Sequence, residues 1–402
     1  MKTSALLYEV KVLILHQHFK TPESGGALRS YYLAKALADN GFQPVVITGG
    51  DDPQAKKVTL ENIEINYLPI PYDNGFGFWK RVRSFLHFTW QSVQLARTID
   101  GVAMCYAISV PLTTGISAWW LKRTRGTPYL FEVGDLWPDA PIALGYIRNY
   151  FLKKLLFGLE RLIYREAKAV IALSTSIQSA IKEKVPDVAV RVIPNMADTD
   201  FFGLIPENTK VLRANVFENK FVVSYIGAVG VANGLDYFIE CARACYQQGW
   251  NVHFVICGDG ALLNRHKNSV SRLNLSNFTF LPFTNRNGVR DLLNITDAAF
   301  VCYKPYEILE TGSPNKYFDG LAAGKLILIN FEGWIKKEIE LQGCGVYINR
   351  QQPNDFVKVI KPFLKDKLLL EKYQRAAREL AVARYSRKAL SKEFVSLFTE
   401  FR

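Results

Sequence analysis

Several features that define common protein classes are scarce or missing in this sequence. The 402 residues include only six cysteines, and no two of them form a CxxC pair. Neither a disulfide framework nor a four-cysteine zinc site is therefore indicated. Most of the cysteines lie in apolar runs such as Val255–Cys257, which is typical of buried, reduced thiols in a protein of the cytosol.

Long uninterrupted apolar runs are also missing. A secretory signal is not expected at the start, because Glu9 and Lys11 interrupt the apolar stretch. The segment 101–121 carries no charge, but its proline, glycine, serine and threonine residues make it weakly apolar. We predict a buried strand at Val102–Ala107, a turn and a helix that begins at Pro111, in preference to a membrane-spanning helix.

Acidic residues are outnumbered by basic ones. Lys and Arg total 50 against 37 Asp and Glu, and the net charge of +13 favours an anionic partner: a nucleic acid, a phosphorylated ligand or an anionic membrane. RNP, zinc-finger and helix-turn-helix patterns are absent, so no nucleic-acid partner is expected. A hydrophobic content of 49% excludes general disorder.

Apolar runs of strand length alternate with amphipathic stretches along the whole chain. The predicted strands include Val10–Leu15, Val45–Thr48, Val102–Ala107, Tyr129–Glu132 and Ala169–Leu173, then Val222–Ile226, Val252–Cys257, Phe278–Leu281, Ala298–Tyr303 and Leu326–Ile329. This alternation predicts two α/β domains with doubly wound parallel sheets. A Pro-, Asn- and Asp-rich linker near 194–210 separates them, and we expect the domains at 1–198 and 199–402. Such folds bind ligands at the carboxyl ends of their strands.

Three glycine-rich turns directly follow predicted strands. They lie at Thr21–Gly26, with Arg29 one turn later, at 225–234 and at Cys257–Gly260. Glycine pairs let backbone amides approach an anion, and a helix N-terminus adds a favourable dipole. Taken singly, each turn is equally typical of a tight connection. None is a P-loop, and 225–234 does not match a dinucleotide fingerprint.

The segment 304–325, KPYEILETGSPNKYFDGLAAGK, is the most informative stretch. It combines an acidic loop, a Gly-Ser-Pro helix start, and then Lys316 and Asp319 on one helical face. Backbone amides and Lys316 suit a diphosphate, and the carboxylate of Asp319 suits ribose hydroxyls. The alternative is a solvated helix start with a weak surface ion pair.

With these motifs the chain resembles the retaining glycosyltransferases of family 4. The resemblance is carried by SGGALRSYYLAKALADNGFQPVVITGG, EVGDLWPDAP, VIPNMADTDFF, YIGAVGVANGLDYFIECA, VICGDG and ETGSPNKYFDGLAAGK. It implies the GT-B fold, in which two Rossmann-like domains face a central cleft and the last helix, about 386–402, packs back on the first domain. It further implies transfer of a hexosyl or N-acetylhexosaminyl group from a UDP-sugar, with retention, no cofactor and no obligatory metal.

The resemblance also assigns roles to individual residues. Asp319 matches the acid that holds the ribose. Glu310 is the catalytic candidate for the acid that orients the sugar, although it precedes Asp319 by one position more than in the family. Asp135, after Gly134 in place of the family's His, is the second catalytic candidate. The other donor-site candidates are the following glycines, loop and helix-start residues: Gly25, Gly26, Gly230, Asn233, Gly258, Pro314 and Asn315.

Members of the family usually carry an Arg and a Lys in the loop that matches 225–234. In this chain Ala228 and Asn233 stand near those two positions. Positive charge for the diphosphate must therefore come from elsewhere. Lys316 is the first choice, and Arg29 and Lys304 follow.

Other patterns leave alternatives open. Asp198-Thr199-Asp200 has the form of a metal-binding DxD, but its place in the linker favours a hinge, and no metal site is predicted. His16 and His18 lack carboxylate partners for a metal site. A UDP-sugar 2-epimerase-like enzyme on the same fold, or a non-catalytic basic binding protein, are the alternative functions.

Basic and aromatic residues are concentrated in the segments 76–90, 119–125 and 150–154. Aromatic rings seat at the headgroup level of a bilayer, and basic residues meet anionic lipid. The resemblance extends to enzymes that build O-antigen, capsule and exopolysaccharide repeats in bacteria. The expected acceptor is thus a saccharide linked to a polyprenyl diphosphate, and the expected location is cytoplasmic, peripherally on the inner face of the plasma membrane.

Overall fold

The computed structural model describes residues 10–73, 75–203 and 217–399. The chain divides into two units: the described parts of 1–21, 27–193 and 390–402 form the first, and those of 22–26 and 194–389 form the second. The main division therefore falls after Ile193, ahead of the boundary expected at 198. The predicted linker belongs to the second unit as far as residue 203, and its remainder, 204–210, lies outside the described residues.

The first unit is built on an eight-stranded sheet. Its strands are β1 (Val10–Leu15), β2 (Phe42–Gly50), β3 (Lys56–Leu60), β4 (Ile63–Pro69), β5 (Val102–Ile108), β6 (Tyr129–Val133), β7 (Ala169–Ala172) and β8 (Val190–Val192). The spatial order is β3-β4-β2-β1-β5-β6-β7-β8, and every neighbouring pair is parallel except β3 and β4. The central strands are buried almost throughout, as a sheet covered by helices on both faces requires.

Six helices connect these strands: α1 (Arg29–Asp39), α2 (Phe78–Ala96), α3 (Thr113–Arg125), α4 (Asp139–Ala143), α5 (Tyr150–Glu166) and α6 (Thr175–Lys184). Side-chain caps begin two of them, because Asn149 accepts the N–H of Leu152 and Ser174 accepts the N–H of Ile177. Gly126, in the left-handed region, ends α3.

The second unit contains a six-stranded, wholly parallel sheet. Its strands are β9 (Phe221–Ile226), β10 (Val252–Cys257), β11 (Phe278–Leu281), β12 (Ala298–Val301), β13 (Leu326–Ile329) and β14 (Gly345–Tyr347), in the spatial order β11-β10-β9-β12-β13-β14. The helices are α7 (Leu235–Gln247), α8 (Leu263–Arg272), α9 (Arg286–Ile295), α10 (Glu307–Glu310), α11 (Asn315–Ala322), α12 (Trp334–Gln342), α13 (Asp355–Lys365) and α14 (Lys367–Arg384). A further helix, α15 (Arg387–Ser396), begins in this unit and groups with the first unit from Leu390 onward. Phe238 packs edge to face on Phe254 and Phe300 at 5.1 and 5.2 Å in the core.

The predicted strands are confirmed, and the six cysteines are buried free thiols as expected. The edge strands β3, β8 and β14 were missed, because they are short or largely exposed and carry little hydrophobic signal. Residues 101–121 form β5, a connecting loop and the first turns of α3, so the spanning alternative is wrong. Among the described helices, none combines the length and apolarity needed to cross a bilayer.

Candidate functional site

The loop that follows β9 lies between the backbones of two neighbouring loops. On one side, the N–H of Gly227 donates to the carbonyl oxygen of Cys257 (2.9 Å), and the N–H of Val229 donates to that of Asp259 (2.8 Å). On the other side, the N–H of Lys304 donates to the carbonyl oxygen of Ala232 (2.9 Å). Because β10 and β12 flank β9, these three loops meet at the carboxyl edge of the sheet.

Two glycines permit this close approach. A β-carbon at Gly258 would overlap the carbonyl oxygen of Gly227, and one at Gly260 would lie 2.6 Å from that of Val229. The loop is also closed from within, because the side-chain oxygen of Asn233 accepts the N–H of Gly230 (3.1 Å). The predicted candidates Gly230, Asn233 and Gly258 therefore fix the shape of this edge.

Lys316 extends from the first turn of α11 toward the loop after β9. Its ammonium nitrogen lies 5.1 Å from the ring centroid of Tyr225 and 5.8 Å from that of Tyr303. Its Cε would be 3.2 Å from a β-carbon at Gly227. Burial lowers the pKa of Lys316 to about 8. The lysine thus places a positive charge beside the backbone of the glycine loop.

Asp319 lies one turn after Lys316 on the same helix. Burial raises the pKa of the Asp319 carboxyl to about 7, although Arg286 and Lys316 act in the opposite direction. Paired groups with strongly shifted pKa values are typical of functional sites. A half-buried cation and a half-buried carboxyl at one helix start can bind a ligand that carries both phosphate and hydroxyl groups.

The start of α11 is anchored from the segment after Ile193. The side-chain amide of Asn195 donates to the carbonyl oxygen of Ser313 (2.5 Å), and its backbone N–H donates to the Ser313 hydroxyl (3.4 Å). Pro314 is the N-cap and Asn315 is exposed. This anchoring sets the position of the turn that carries Lys316.

Glu310 lies at the end of α10, with its carboxylate 3.0 Å from a guanidinium nitrogen of Arg350. The side chains of Glu310 and Arg350 are 13% and 25% exposed. Arg350 follows β14, which is separated from β12 by β13, so this ion pair joins the loops that follow two non-neighbouring strands of the sheet.

The fold and the sequence both resemble known proteins. Sucrose-phosphate synthase from Thermosynechococcus elongatus superposes with a TM-score of 0.77 at 16% identity, over 98% of this chain and 99% of that chain. Anabaena HepE, solved with UDP and glucose, gives a TM-score of 0.73 at 16% identity, over 97% and 100%. The putative colanic acid biosynthesis glycosyl transferase WcaI of Escherichia coli (strain K12) is 23% identical over 286 residues, 69% of each chain.

Two family models decide the assignment. A glycosyl transferase 4-like domain matches residues 24–196, and the model of glycosyl transferases group 1 matches residues 208–380. The chain belongs to the GT-B glycosyltransferases of the family 4 type. This assignment favours sugar transfer over the alternative of a non-catalytic basic binding protein.

In this glycosyltransferase the second unit brings most donor-site candidates to one edge. They are Gly230, Asn233, Gly258, Lys304, Pro314, Asn315, Lys316 and Asp319. Gly25 and Gly26, both with positive φ, belong to a segment that groups with this unit, and a β-carbon at Gly25 would contact Phe283 and Asn285 at 3.5 Å. Asp135 is an exposed residue of the first unit, just after β6.

Arg29 has a different environment from the one expected. Its guanidinium is buried, makes three hydrogen bonds of 2.9 to 3.1 Å to Glu132, and donates to the carbonyl oxygen of Ile193 (2.8 Å). The hydroxyl of Tyr106 also contacts Glu132. These contacts commit Arg29 to the interior of the first unit, so the geometry gives no support to its predicted contact with a diphosphate.

The DxD sequence of this glycosyltransferase is a structural cluster. Asp198 is buried, pairs with Arg286 and with Arg387 (3.0 Å), and accepts the N–H of Phe201 (3.3 Å). Two guanidinium groups therefore neutralise the carboxylate that a metal would need. Within residues 10–73, 75–203 and 217–399, no group of three or more His, Cys, Asp or Glu side chains could hold a metal ion.

The two histidines after β1 are held by packing. Nδ1 of His16 lies 2.9 Å from the Ser30 hydroxyl, and burial lowers the pKa of His16 to about 3. His18 packs on the Tyr72 ring at 4.2 Å, and burial lowers its pKa to about 4.

Two arginines near the site were missed by sequence reasoning. Arg286 is the first residue of α9, and its charge opposes the burial that raises the pKa of the Asp319 carboxyl. Arg350 forms an ion pair with Glu310. Both arginines lie outside the segment 304–325 in the sequence. No local motif marks them, so only the sheet order could reveal them.

Proposed function

We propose that this glycosyltransferase moves a hexosyl or N-acetylhexosaminyl group from a UDP-sugar to a polyprenyl-diphosphate-linked saccharide, with retention, in the synthesis of a bacterial surface polysaccharide. The donor half of the proposal is supported mainly by the placement of Lys316 beside the glycine loop after β9, with Asp319 one turn later on the same helix. Two similar proteins support the proposal. Anabaena HepE was solved with UDP and glucose, and WcaI is named as a putative glycosyl transferase of colanic acid biosynthesis.

The chemistry follows from charge. As the glycosidic bond breaks, negative charge grows on the leaving diphosphate, and fixed N–H groups and a lysine stabilise it best when they need no reorganisation. Lys316 and the amides at Gly25–Gly26 and Asn315 have that role, with Lys304 as a further cation. Asp319 accepts the ribose hydroxyls, Glu310 orients the sugar hydroxyls, and Asp135 remains the candidate at the reacting centre. The nucleotide-sugar is a substrate, and the proposal requires no cofactor and no metal.

The direct test is an assay with a panel of UDP-sugars and a synthetic polyprenyl-diphosphate-linked monosaccharide. We expect one UDP-sugar to label the lipid, and NMR of the product to show the anomeric configuration of the donor. An isomerised free UDP-sugar without labelled lipid would favour the epimerase-like alternative. A product of inverted configuration would overturn retention, and labelling of a free saccharide only would overturn the lipid-linked acceptor.

The first unit has an exposed surface that suits a membrane. Trp79 and Trp90 on α2 are 78% and 62% exposed, and Tyr150 and Phe151 on α5 are 71% and 79% exposed. Both helices pack against α3, and exposed Lys80, Arg83 and Lys154 accompany the aromatic residues. We propose that this face of α2 and α5, called here the aromatic-basic face, seats peripherally on the anionic inner face of the plasma membrane.

Only part of the basic and aromatic segment 76–90 is exposed and can contact lipid. Phe85 and Phe88 are buried in the core, although they lie in the same segment as Trp79 and Trp90. Arg81 donates to the carbonyl oxygen of Phe76 (2.9 Å), so its charge is less available than those of Lys80 and Arg83. These contacts select the residues for a binding test.

Liposome co-sedimentation tests the aromatic-basic face. Binding should grow with the anionic lipid fraction, fall with salt, and drop on the order of 100-fold when Lys80, Arg83 and Lys154 are changed to Glu, because each basic residue near the surface contributes about 1 kcal/mol. The matched control changes exposed Lys267, Lys372 and Arg375 of the second unit to Glu. Equal losses in both triple variants, or no binding by the parent, would refute the assignment of this face.

A further inference from the structure

Glu310 is fixed by contacts to its backbone as well as to its side chain. A β-carbon at Gly333 would lie 2.9 Å from the carbonyl oxygen of Glu310, so the two backbones are in direct contact. The carbonyl oxygen of Gly312, two residues after Glu310, accepts the indole N–H of Trp334 (2.9 Å). The turn between β13 and α12 therefore supports the backbone of residues 310–312, and the remaining freedom of Glu310 is in its side chain.

Arg350 is the group that restricts this side chain. The Glu310 side chain is only 13% exposed, and a carboxylate with so little solvent contact needs a charged or hydrogen-bonded partner. Arg350 supplies it at 3.0 Å. A second carboxylate near Arg350 belongs to Glu332, which has its own partner in Lys336 at 2.9 Å.

The position of Arg350 is itself fixed by the fold. The Tyr237 hydroxyl, on α7, donates to the carbonyl oxygen of Asn349 (2.8 Å), and the Asn349 side chain accepts the N–H of Gln351 (2.9 Å). α7 is the helix that follows the glycine loop after β9. The turn that carries Arg350 is thereby tied to the element that begins at the donor loop.

We propose that Arg350 is a positioning residue of the glycosyltransferase, which holds the Glu310 carboxylate in one orientation for the sugar of the donor. The proposal rests on the proposed function, in which Glu310 contacts the transferred sugar. Arg350 itself need not touch the substrate. Its removal should misplace a group that acts on the sugar and leave the UDP contacts of Lys316 and Asp319 in place.

The test measures kcat, the UDP dissociation constant and the melting temperature for Arg350→Met, Arg350→Lys, Glu310→Gln and the double variant Arg350→Met/Glu310→Gln. The assay uses the UDP-sugar that the parent transfers fastest. Arg350→Met should lower kcat about 10- to 100-fold, because small misplacements at a reacting centre have effects of this size. The UDP dissociation constant should stay within about twofold, since the uridine and diphosphate contacts are unchanged.

Three further results are expected. Arg350→Lys should recover part of kcat, because a lysine keeps one charged donor. The double variant should be no slower than Glu310→Gln alone, since both changes act through one carboxylate. Lys336→Met is the matched control, because Lys336 is 24% exposed and also pairs with a neighbouring glutamate, and its kcat should be close to that of the parent.

Each contrary result has a distinct meaning. A normal kcat in Arg350→Met with a slow Glu310→Gln would overturn the role of Arg350 and leave that of Glu310 standing. A fully active Glu310→Gln would overturn the assignment of Glu310 in the proposed function, and with it this proposal. Additive losses in the double variant would show that Arg350 acts independently of Glu310 and would overturn the positioning role. A parallel loss of UDP binding and melting temperature in Arg350→Met would show that Arg350 acts only on the fold.

Discussion

Replacing Lys316 by alanine is expected to weaken UDP binding about 10- to 100-fold and leave the apo protein folded. A charge-assisted contact with phosphate contributes about 1.5–3 kcal/mol, which corresponds to this range. The two cations that the family usually carries in the loop 225–234 are replaced here, so we expect Lys316 to neutralise more of the diphosphate's charge than one lysine among several would. Isothermal titration with UDP measures the effect.

The pH dependence of the same binding gives an independent check. Asp319 has a pKa of about 7 and Lys316 one of about 8, and both shifts are caused first by burial. Donor affinity should fall below about pH 7, as Asp319 gains a proton and accepts ribose hydroxyls less well. It should also fall above about pH 8, as Lys316 loses its charge. UDP-glucose is the better probe for this profile, because the terminal phosphate of UDP itself titrates near pH 6.

Asp319→Asn should remove the acidic limb of this profile, and Lys316→Ala the alkaline limb. A carboxyl whose pKa is raised by folding destabilises the protein as pH rises through the interval from its unfolded value to about 7. The melting temperature of Asp319→Asn should therefore equal or exceed that of the parent at pH 8.

Lys325→Ala, beyond the opposite end of α11, is the control for UDP affinity. UDP binding by Lys316→Ala at the parental level, or an equal loss in Lys325→Ala, would contradict the assignment.

Arg29→Ala should have the largest effect on stability, with a loss of about 3–5 kcal/mol in the free energy of unfolding. Removing one partner of a buried ion pair leaves the other charge uncompensated, and here that charge is Glu132. The carbonyl oxygen of Ile193 also loses its donor. Urea denaturation measures the difference. Lys35→Ala is the control, because its ion pairs with Asp39 and Glu61 lie at the surface and contribute little.

The same variant decides between the two roles considered for Arg29. If Arg29 stabilises the interior, replacing the pair together by Arg29→Met and Glu132→Leu should recover much of the lost stability, because no unpaired charge then remains. If Arg29 contacts the donor diphosphate, Arg29→Ala should keep the parental stability and lose UDP affinity. The buried geometry predicts the first outcome.

The sequence by itself determined the features that depend on neighbouring residues. Strand-length apolar runs alternating with amphipathic stretches predicted both parallel sheets, because the spacing of apolar residues encodes which faces are buried. The spacing of Lys316 and Asp319 placed them on one helical face, and the six cysteines were expected to be buried. The motifs from SGGALRS to ETGSPNK carried the resemblance to the family that the two domain matches then established.

Only the tertiary structure decided which distant groups meet. Arg29 pairs with Glu132, and Glu310 pairs with Arg350, although these partners lie far apart in the chain. The structure also separated the buried ring of Phe88 from the exposed ring of Trp90, which share one aromatic, basic segment. Local periodicity specifies a helix and its faces. The partner of a charged side chain depends instead on the order of the strands in the sheet, because that order sets which loops lie side by side.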